Sequence, residues 1–266
     1  MESRAERRAG PGGDVWGLTN PLARVEVHPA RGGLVARFEV EGQPVLFLDE
    51  ATLRDPAKNV RGGIPVLFPF AGRPPPGSTL PQHGVARTRA WKVLDATGGD
   101  AALLRMRLEV APYGLELMVR LSGRRLSVDA RVENRGAEPV PVHYGLHPYF
   151  FVPDAAKAGA RLEVEATRAF DNRTGQEGPF RGFDFTADEW DVHLLDARSE
   201  RPVLHRPGLL PVAFEWSTRD FPVMVTWAVR GKDYLCVEPW TARGGQPSGR
   251  VLQPGEACVL PFAFSA

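Results

Sequence analysis

The sequence predicts an all-β protein, folded as a large antiparallel β-sandwich. Three observations carry that reading: short segments of strict period-two alternation, turn residues between them, and a scarcity of helical periodicity. Leu104-Arg105-Met106-Arg107-Leu108-Glu109-Val110 and Leu126-Ser127-Val128-Asp129-Ala130-Arg131-Val132-Glu133 alternate without error. Each puts apolar side chains on one face and polar ones on the other, as a strand with one wet side requires. Twenty-five prolines and 28 glycines in 266 residues interrupt the chain too often for long helices. Many short strands with frequent turns favour two sheets packed face to face.

The elements follow in order. Residues 1–14 hold Arg4, Arg7, Arg8 and Gly10-Pro11-Gly12-Gly13 without an apolar run, and are expected to be a disordered tail rather than a secretory signal. One sandwich domain is expected over 15–266, with no internal linker or fixed-period repeat. Strands are expected at 34–40 and 45–48, then a short helix at 51–58. Gly98-Gly99-Asp100 and Gly123-Arg124-Arg125 supply turns before the two alternating runs, with another strand at 115–122. A second short helix is expected at 154–160, and further strands at 161–167, 212–216, 223–229, 234–238 and 257–264.

Bulk properties exclude several classes. Apolar residues make up 43% and charged residues 24%, ordinary soluble usage. A net charge of +1 gives no reason to expect a nucleic-acid partner. No run approaches the length of a membrane span. Two cysteines, Cys236 and Cys258, read as free thiols in a reducing compartment, so the expected setting is the cytoplasm. Nothing fixes an oligomeric state.

Two segments could carry chemistry. His147 precedes Pro148 in His143-Tyr144-Gly145-Leu146-His147-Pro148-Tyr149-Phe150, and Glu238 precedes Pro239 in Val237-Glu238-Pro239-Trp240. Proline biases the preceding residue to extended geometry and withholds an amide, which suits a side chain presented at a strand end. A histidine and a carboxylate together can donate one proton and accept another. A metal pair at His143-x-x-x-His147 is not expected, because Pro141, Gly145 and Pro148 deny it a helix. Arg61-Gly62-Gly63 lacks the spacing of a nucleotide phosphate loop; arginine there offers a fork of donors to hydroxyls, carboxylates or phosphate.

Taken in order, Arg61-Gly62-Gly63-Ile64-Pro65-x-x-Phe68-Pro69, His83-Gly84-x-Ala86-Arg87-x-x-x-Trp91, His147-Pro148-Tyr149-Phe150 and Glu238-Pro239-Trp240 resemble the aldose 1-epimerase family. These galactose mutarotase-like proteins include the hexose-6-phosphate mutarotases. The resemblance runs from about residue 15 to the C-terminus and implies the family's large antiparallel sandwich. It implies that Glu238 is the general base at the anomeric hydroxyl and His147 the general acid at the ring oxygen. It also implies that His83 helps place the substrate and that Arg61 and Arg87 contact sugar hydroxyls or an anion. Asp191 matches a hydroxyl-binding aspartate, with Asp184 and Asp188 as neighbours, and Trp240 an apolar wall or a core residue. Trp91 is assigned to the core. No metal or organic cofactor is implied.

Galactose-type members carry an asparagine-arginine pair where this chain reads Phe70-Ala71-Gly72-Arg73. That points away from a narrow galactose enzyme, toward the group built on the Gly-Gly-Ile-Pro block. Arg61, Arg73, Arg87 and Arg89 supply charge for a phosphate. Three readings follow: an aldohexose mutarotase, a hexose-6-phosphate 1-epimerase, or a non-catalytic carbohydrate-binding protein.

Overall fold

A computed structural model describes residues 2–10, 12–246 and 248–266. Strands dominate it, all paired antiparallel in their named ladders, and two sheets supply the sandwich. A nine-stranded sheet runs Arg161–Glu163, Val203–His205, Val212–Glu215, Ala263–Ser265, Arg125–Asn134, Tyr113–Ser122, Ala102–Val110 and Lys92–Thr97, with Ala257–Leu260 also paired to Arg125–Asn134. An eight-stranded sheet runs Gln176–Pro179, Arg168–Asp171, Glu189–Leu194, Val223–Val229, Tyr234–Trp240, Gly145–Leu146 and Val66–Leu67, with Tyr149–Phe151 also paired to Tyr234–Trp240. Phe150 of the second sheet packs edge-on against Phe214 and Phe264 of the first, both at 5.2 Å between ring centres. That aromatic contact lies at the centre of a continuous apolar core.

The predicted alternation survives in burial. Along Ala102–Val110, the even-numbered residues are buried and Arg105 and Glu109 are exposed. Strands at 34–40 and 223–229 have the expected limits. The segment 45–48 makes only isolated bridges, through Leu46 and Leu48. The run 257–264 is split into Ala257–Leu260 and Ala263–Ser265, with Pro261, which has no amide to donate, between them. The strand expected at 161–167 stops at Glu163.

Both expected helices shorten. Glu50–Arg54 is α-helical, started by Asp49, whose carboxylate accepts from the amides of Ala51 and Thr52. Asp154–Gly159 is a 3-10 helix.

The N-terminal expectation needs correction. Arg4–Gly10 is a strand, paired residue by residue with Gly13–Thr19 in a five-stranded sheet. Gly10 and Gly13 close the hairpin, so the glycine cluster read as a tail is a turn. Met1 and Pro11, part of that expected tail, lie outside the described residues. The strand lacks an apolar run because it is an edge, held by Ala5 against the core, Ser3 bonded to Gly99 and Arg8 paired with buried Glu26. Among the described residues, no helix is long and apolar enough to cross a membrane.

Candidate active site

The strand Tyr234–Trp240 is central in its sheet and buried at every residue. Its alternation is between two buried environments. Leu235 and Val237 enter the sandwich core, while Tyr234, Cys236 and Trp240 pack on the other face. Glu238 shares the parity of that second face, and lines a cleft of about 530 Å³.

Register places its partner. Gly145 pairs with Trp240 and Tyr149 with Cys236, so His147 falls opposite Glu238 in the same antiparallel frame. The ladder is interrupted there, between Leu146 and Tyr149, where His147-Pro148 stands opposite Val237-Glu238. The His147 amide turns instead to the Pro65 carbonyl at 3.0 Å. Neither residue ends a long strand, as the prolines suggested. Glu238 lies within a central strand, and His147 sits in a gap between two short ones.

His147 Nδ1 stands 3.4 Å from Glu238 Oε1. The atoms are within ion-pair range but not aligned as a hydrogen bond, so the buried Nδ1 has no hydrogen-bond partner. Glu238 Oε2 accepts from Trp240 Nε1 at 3.1 Å. The His147 ring stacks on Tyr149, with centres 4.6 Å apart and planes inclined by 8°. Burial, reinforced by the Asp191 charge, pushes the Glu238 carboxyl well above its ordinary range. Burial, followed by His83 and Arg87, holds the His147 imidazole well below its own.

His83 enters from a loop. Gly72 N–H donates to its Nδ1 at 3.0 Å, and the His83 amide donates back to the Gly72 carbonyl at 2.8 Å. That leaves Nε2 as the protonated nitrogen of the neutral ring, a donor at the cleft wall. Burial and then Arg87 depress its pKa to about 3. The loop takes the left-handed conformation at both His83, φ +66°, and Gly84, φ +67°. At Gly84 a Cβ would run into the Phe68 carbonyl, so glycine is needed for space as well as for φ.

Asp191 lies on Glu189–Leu194 and lines the cleft, its Oδ2 accepting from Asn172 Nδ2 at 2.7 Å. Its neighbours are engaged elsewhere: Asp184 accepts from Thr186, and Asp188 pairs with Arg230. Arg61, Arg73 and Arg87 line the cleft, Arg61 exposed and Arg87 donating to the Gln82 carbonyl at 3.0 Å. Arg89 is not among the lining residues. Trp240 lines the cleft as well as packing beneath it, whereas Trp91 is buried and bonded to the Ala86 carbonyl.

All seven residues singled out from the sequence, Glu238, His147, His83, Arg61, Arg87, Asp191 and Trp240, therefore line one cleft. Sequence reasoning missed Asn172, His193, Tyr149, Trp227 and Arg243 on the same walls. His193 Nε2 lies 3.6 Å from Asp191 Oδ1, and its ring meets Trp240 edge-on at 5.1 Å.

A buried acid and base facing each other in a polar cleft suit proton transfer to and from hydroxylated substrates. The family model described as aldose 1-epimerase matches residues 14–189. The chain belongs to the aldose 1-epimerase family. It is an isomerase of the class that acts on sugars, as the ordered motifs implied.

A solved structure of the Slr1438 protein from Synechocystis sp. PCC 6803 is 31% identical, with 94% of each chain covered and a TM-score of 0.88. A galactose mutarotase-like protein from Clostridium acetobutylicum shares the fold, with a TM-score of 0.79 at 17% identity over 99% of this chain and 98% of that one. A protein of Cenchrus ciliaris, provisionally named a glucose-6-phosphate 1-epimerase, is 27% identical over 94% of this chain and 83% of its own length.

Proposed function

We propose that the protein interconverts the α and β anomers of an aldohexose, with Glu238 as general base and His147 as general acid. The observation that carries this reading is the placement of His147 Nδ1 3.4 Å from Glu238 Oε1 at one cleft wall. Glu238 removes the proton from the anomeric hydroxyl while protonated His147 delivers one to the ring oxygen. The C1–O5 bond opens to the aldehyde, C1 rotates, and closure on the opposite face returns both protons. Each transfer is between oxygen or nitrogen atoms, within reach of side-chain acid–base catalysis.

The two pKa shifts rest the pair's single proton on Glu238 and leave His147 neutral, so passage of that proton to the imidazole arms the pair. Once armed, the carboxylate accepts strongly and the imidazolium donates strongly. His83 Nε2–H supplies a fixed donor beside the substrate, Asp191 an acceptor for a sugar hydroxyl, and Trp240 an apolar surface. The test is polarimetry or NMR on freshly dissolved α-glucose, α-galactose and glucose 6-phosphate, with and without protein.

A specific observation favours a second reading, a hexose-6-phosphate 1-epimerase. Arg61, Arg73, Arg87 and Arg243 border the same cleft, a basic rim suited to a phosphate. On that reading phosphate or sulfate competes with substrate, and Arg61→Ala and Arg87→Ala raise KM more than they lower kcat. A rate indifferent to added phosphate counts against it. Two unbridged cysteines support a reducing, cytoplasmic setting.

A further inference from the structure

Cys236 lies two residues before Glu238 on the same strand, and so on the same face. Tyr149 stands opposite Cys236, and His147 opposite Glu238. As a result His147, Cys236 and Glu238 each bring one ligand atom to a common point, all within 4.8 Å of one another. His147 Nδ1 is buried and has no hydrogen-bond partner. Glu238 Oε2 is engaged by Trp240, while Oε1 faces the imidazole. Cys236 forms no disulfide.

We infer that His147, Cys236 and Glu238 form a binding site for a thiophilic divalent cation, Zn²⁺ being the best fit, and that the cation is an inhibitor. The inhibitory part rests on the mutarotase reading; the binding part does not. Tetrahedral zinc takes nitrogen, sulfur and oxygen donors, and its bond lengths place those donors about 3.3–3.7 Å apart. The imidazole and carboxylate are already 3.4 Å apart. Sulfur, within 4.8 Å of both, therefore has to approach by roughly 1–1.5 Å at most, within reach of a side-chain adjustment. On binding, the thiol proton leaves to solvent and a Zn–S bond forms. The fourth position opens to the cleft and takes water. The cation ties up Glu238 and His147, the two residues assigned to proton transfer, so it blocks anomerisation. A thiolate–imidazole site favours Zn²⁺, Cd²⁺ and Co²⁺ over the oxygen-seeking Mg²⁺ and Ca²⁺.

Co²⁺ titrated into the full chain reports the site without any sugar. The expected result is a thiolate-to-cobalt charge-transfer band in the near ultraviolet, with strong visible bands of a tetrahedral centre, both displaced by Zn²⁺. Cys236→Ala abolishes the charge-transfer band and Cys258→Ala keeps it; Cys236→Ser serves the same purpose should the alanine variant fold poorly. Zn²⁺ inhibits mutarotation by the parent, and Cys236→Ala retains the parent's rate. Losing an outer-shell partner alone costs roughly 10- to 100-fold in metal affinity, so Cys236→Ala raises the inhibiting Zn²⁺ concentration by about tenfold or more. No thiolate band in the parent, a band that survives Cys236→Ala, or equal Zn²⁺ sensitivity of parent and variant overturns the inference. A cobalt band in a protein that mutarotates no sugar overturns only the functional reading.

Discussion

His147 faces Glu238 because the ladder holds them in register: Gly145 opposite Trp240 and Tyr149 opposite Cys236 leave no other position for it. Their separation is set by the sheet rather than by flexible loops, a rigid mounting for the proton exchange proposed for them.

Asp191 pushes the Glu238 carboxyl up, second only to burial. On the proposed mechanism the pair works with one proton shared between Glu238 and His147, and that proton rests on the raised carboxyl, so activity falls as pH rises through the Glu238 pKa. Removing the Asp191 charge lowers that pKa, and Asp191→Asn therefore shifts the alkaline limb of kcat/KM to lower pH. On the proposed reading Asp191 also accepts from a sugar hydroxyl, so the limb's position, not its height, is the readout. A pH–rate profile in which the limb stays or moves upward contradicts the assignment.

His83 is expected to remain neutral through the window in which an exposed histidine titrates, about pH 8 to about pH 5. Its folded pKa is about 3, against 6.5 for the free side chain, with burial the larger cause and Arg87 the next. NMR of the imidazole should show Nε2 protonated and ring shifts flat across that range. A midpoint near 6.5 would show that the ring is solvated and free of Gly72.

Gly84→Ala tests the His83 loop. The substitution meets both a left-handed φ and the Phe68 carbonyl. A loss of roughly 1–3 kcal/mol in unfolding free energy is expected from backbone strain, accompanied by reduced activity as His83 is displaced. Unchanged urea unfolding and unchanged rate would mean the loop adapts freely.

Glu26 ties the outer strand of the N-terminal hairpin to the inner strands of the same five-stranded sheet. It bonds His28 Nε2 at 2.7 Å and pairs with Arg8, and Arg37 lies 3.7 Å away. Chiefly through the His28 bond, opposed by burial, its pKa falls from 4.5 to about 2. A depressed carboxyl stabilises the fold above its unfolded pKa and ceases to do so as pH falls through the folded one. Glu26→Gln should thus destabilise the protein at neutral pH by roughly 1–3 kcal/mol, allowing for partial screening. The gap should narrow between pH 4.5 and about 2. Chemical unfolding of both proteins across that range checks it; a gap independent of pH refutes the role.

Strand periodicity and the order of four motifs made the sandwich and seven cleft residues legible in the sequence. What escaped has physical reasons. The hairpin strand Arg4–Gly10 is an edge with a wet surface, so it lacks the apolar run by which a strand is recognised. His193 and Tyr149 were within reach, since each lies two residues from an assigned residue, Asp191 and His147, and shares its face. Asn172 and Arg243 were not, because each reaches the cleft from outside a strand, in a position set by tertiary folding. The prolines beside His147 and Glu238 marked an interrupted ladder, not the strand ends they suggested.

On the proposed mechanism, Glu238 and His147 move the protons of anomerisation. Equilibration of fresh α-hexose, or of its 6-phosphate, followed by polarimetry for the parent, Glu238→Gln and His147→Ala tests it most directly. The expected result is acceleration by the parent and a loss of roughly 10²- to 10⁴-fold in kcat for each variant, with circular dichroism unchanged. Folded variants that equilibrate the sugar as fast as the parent would contradict it.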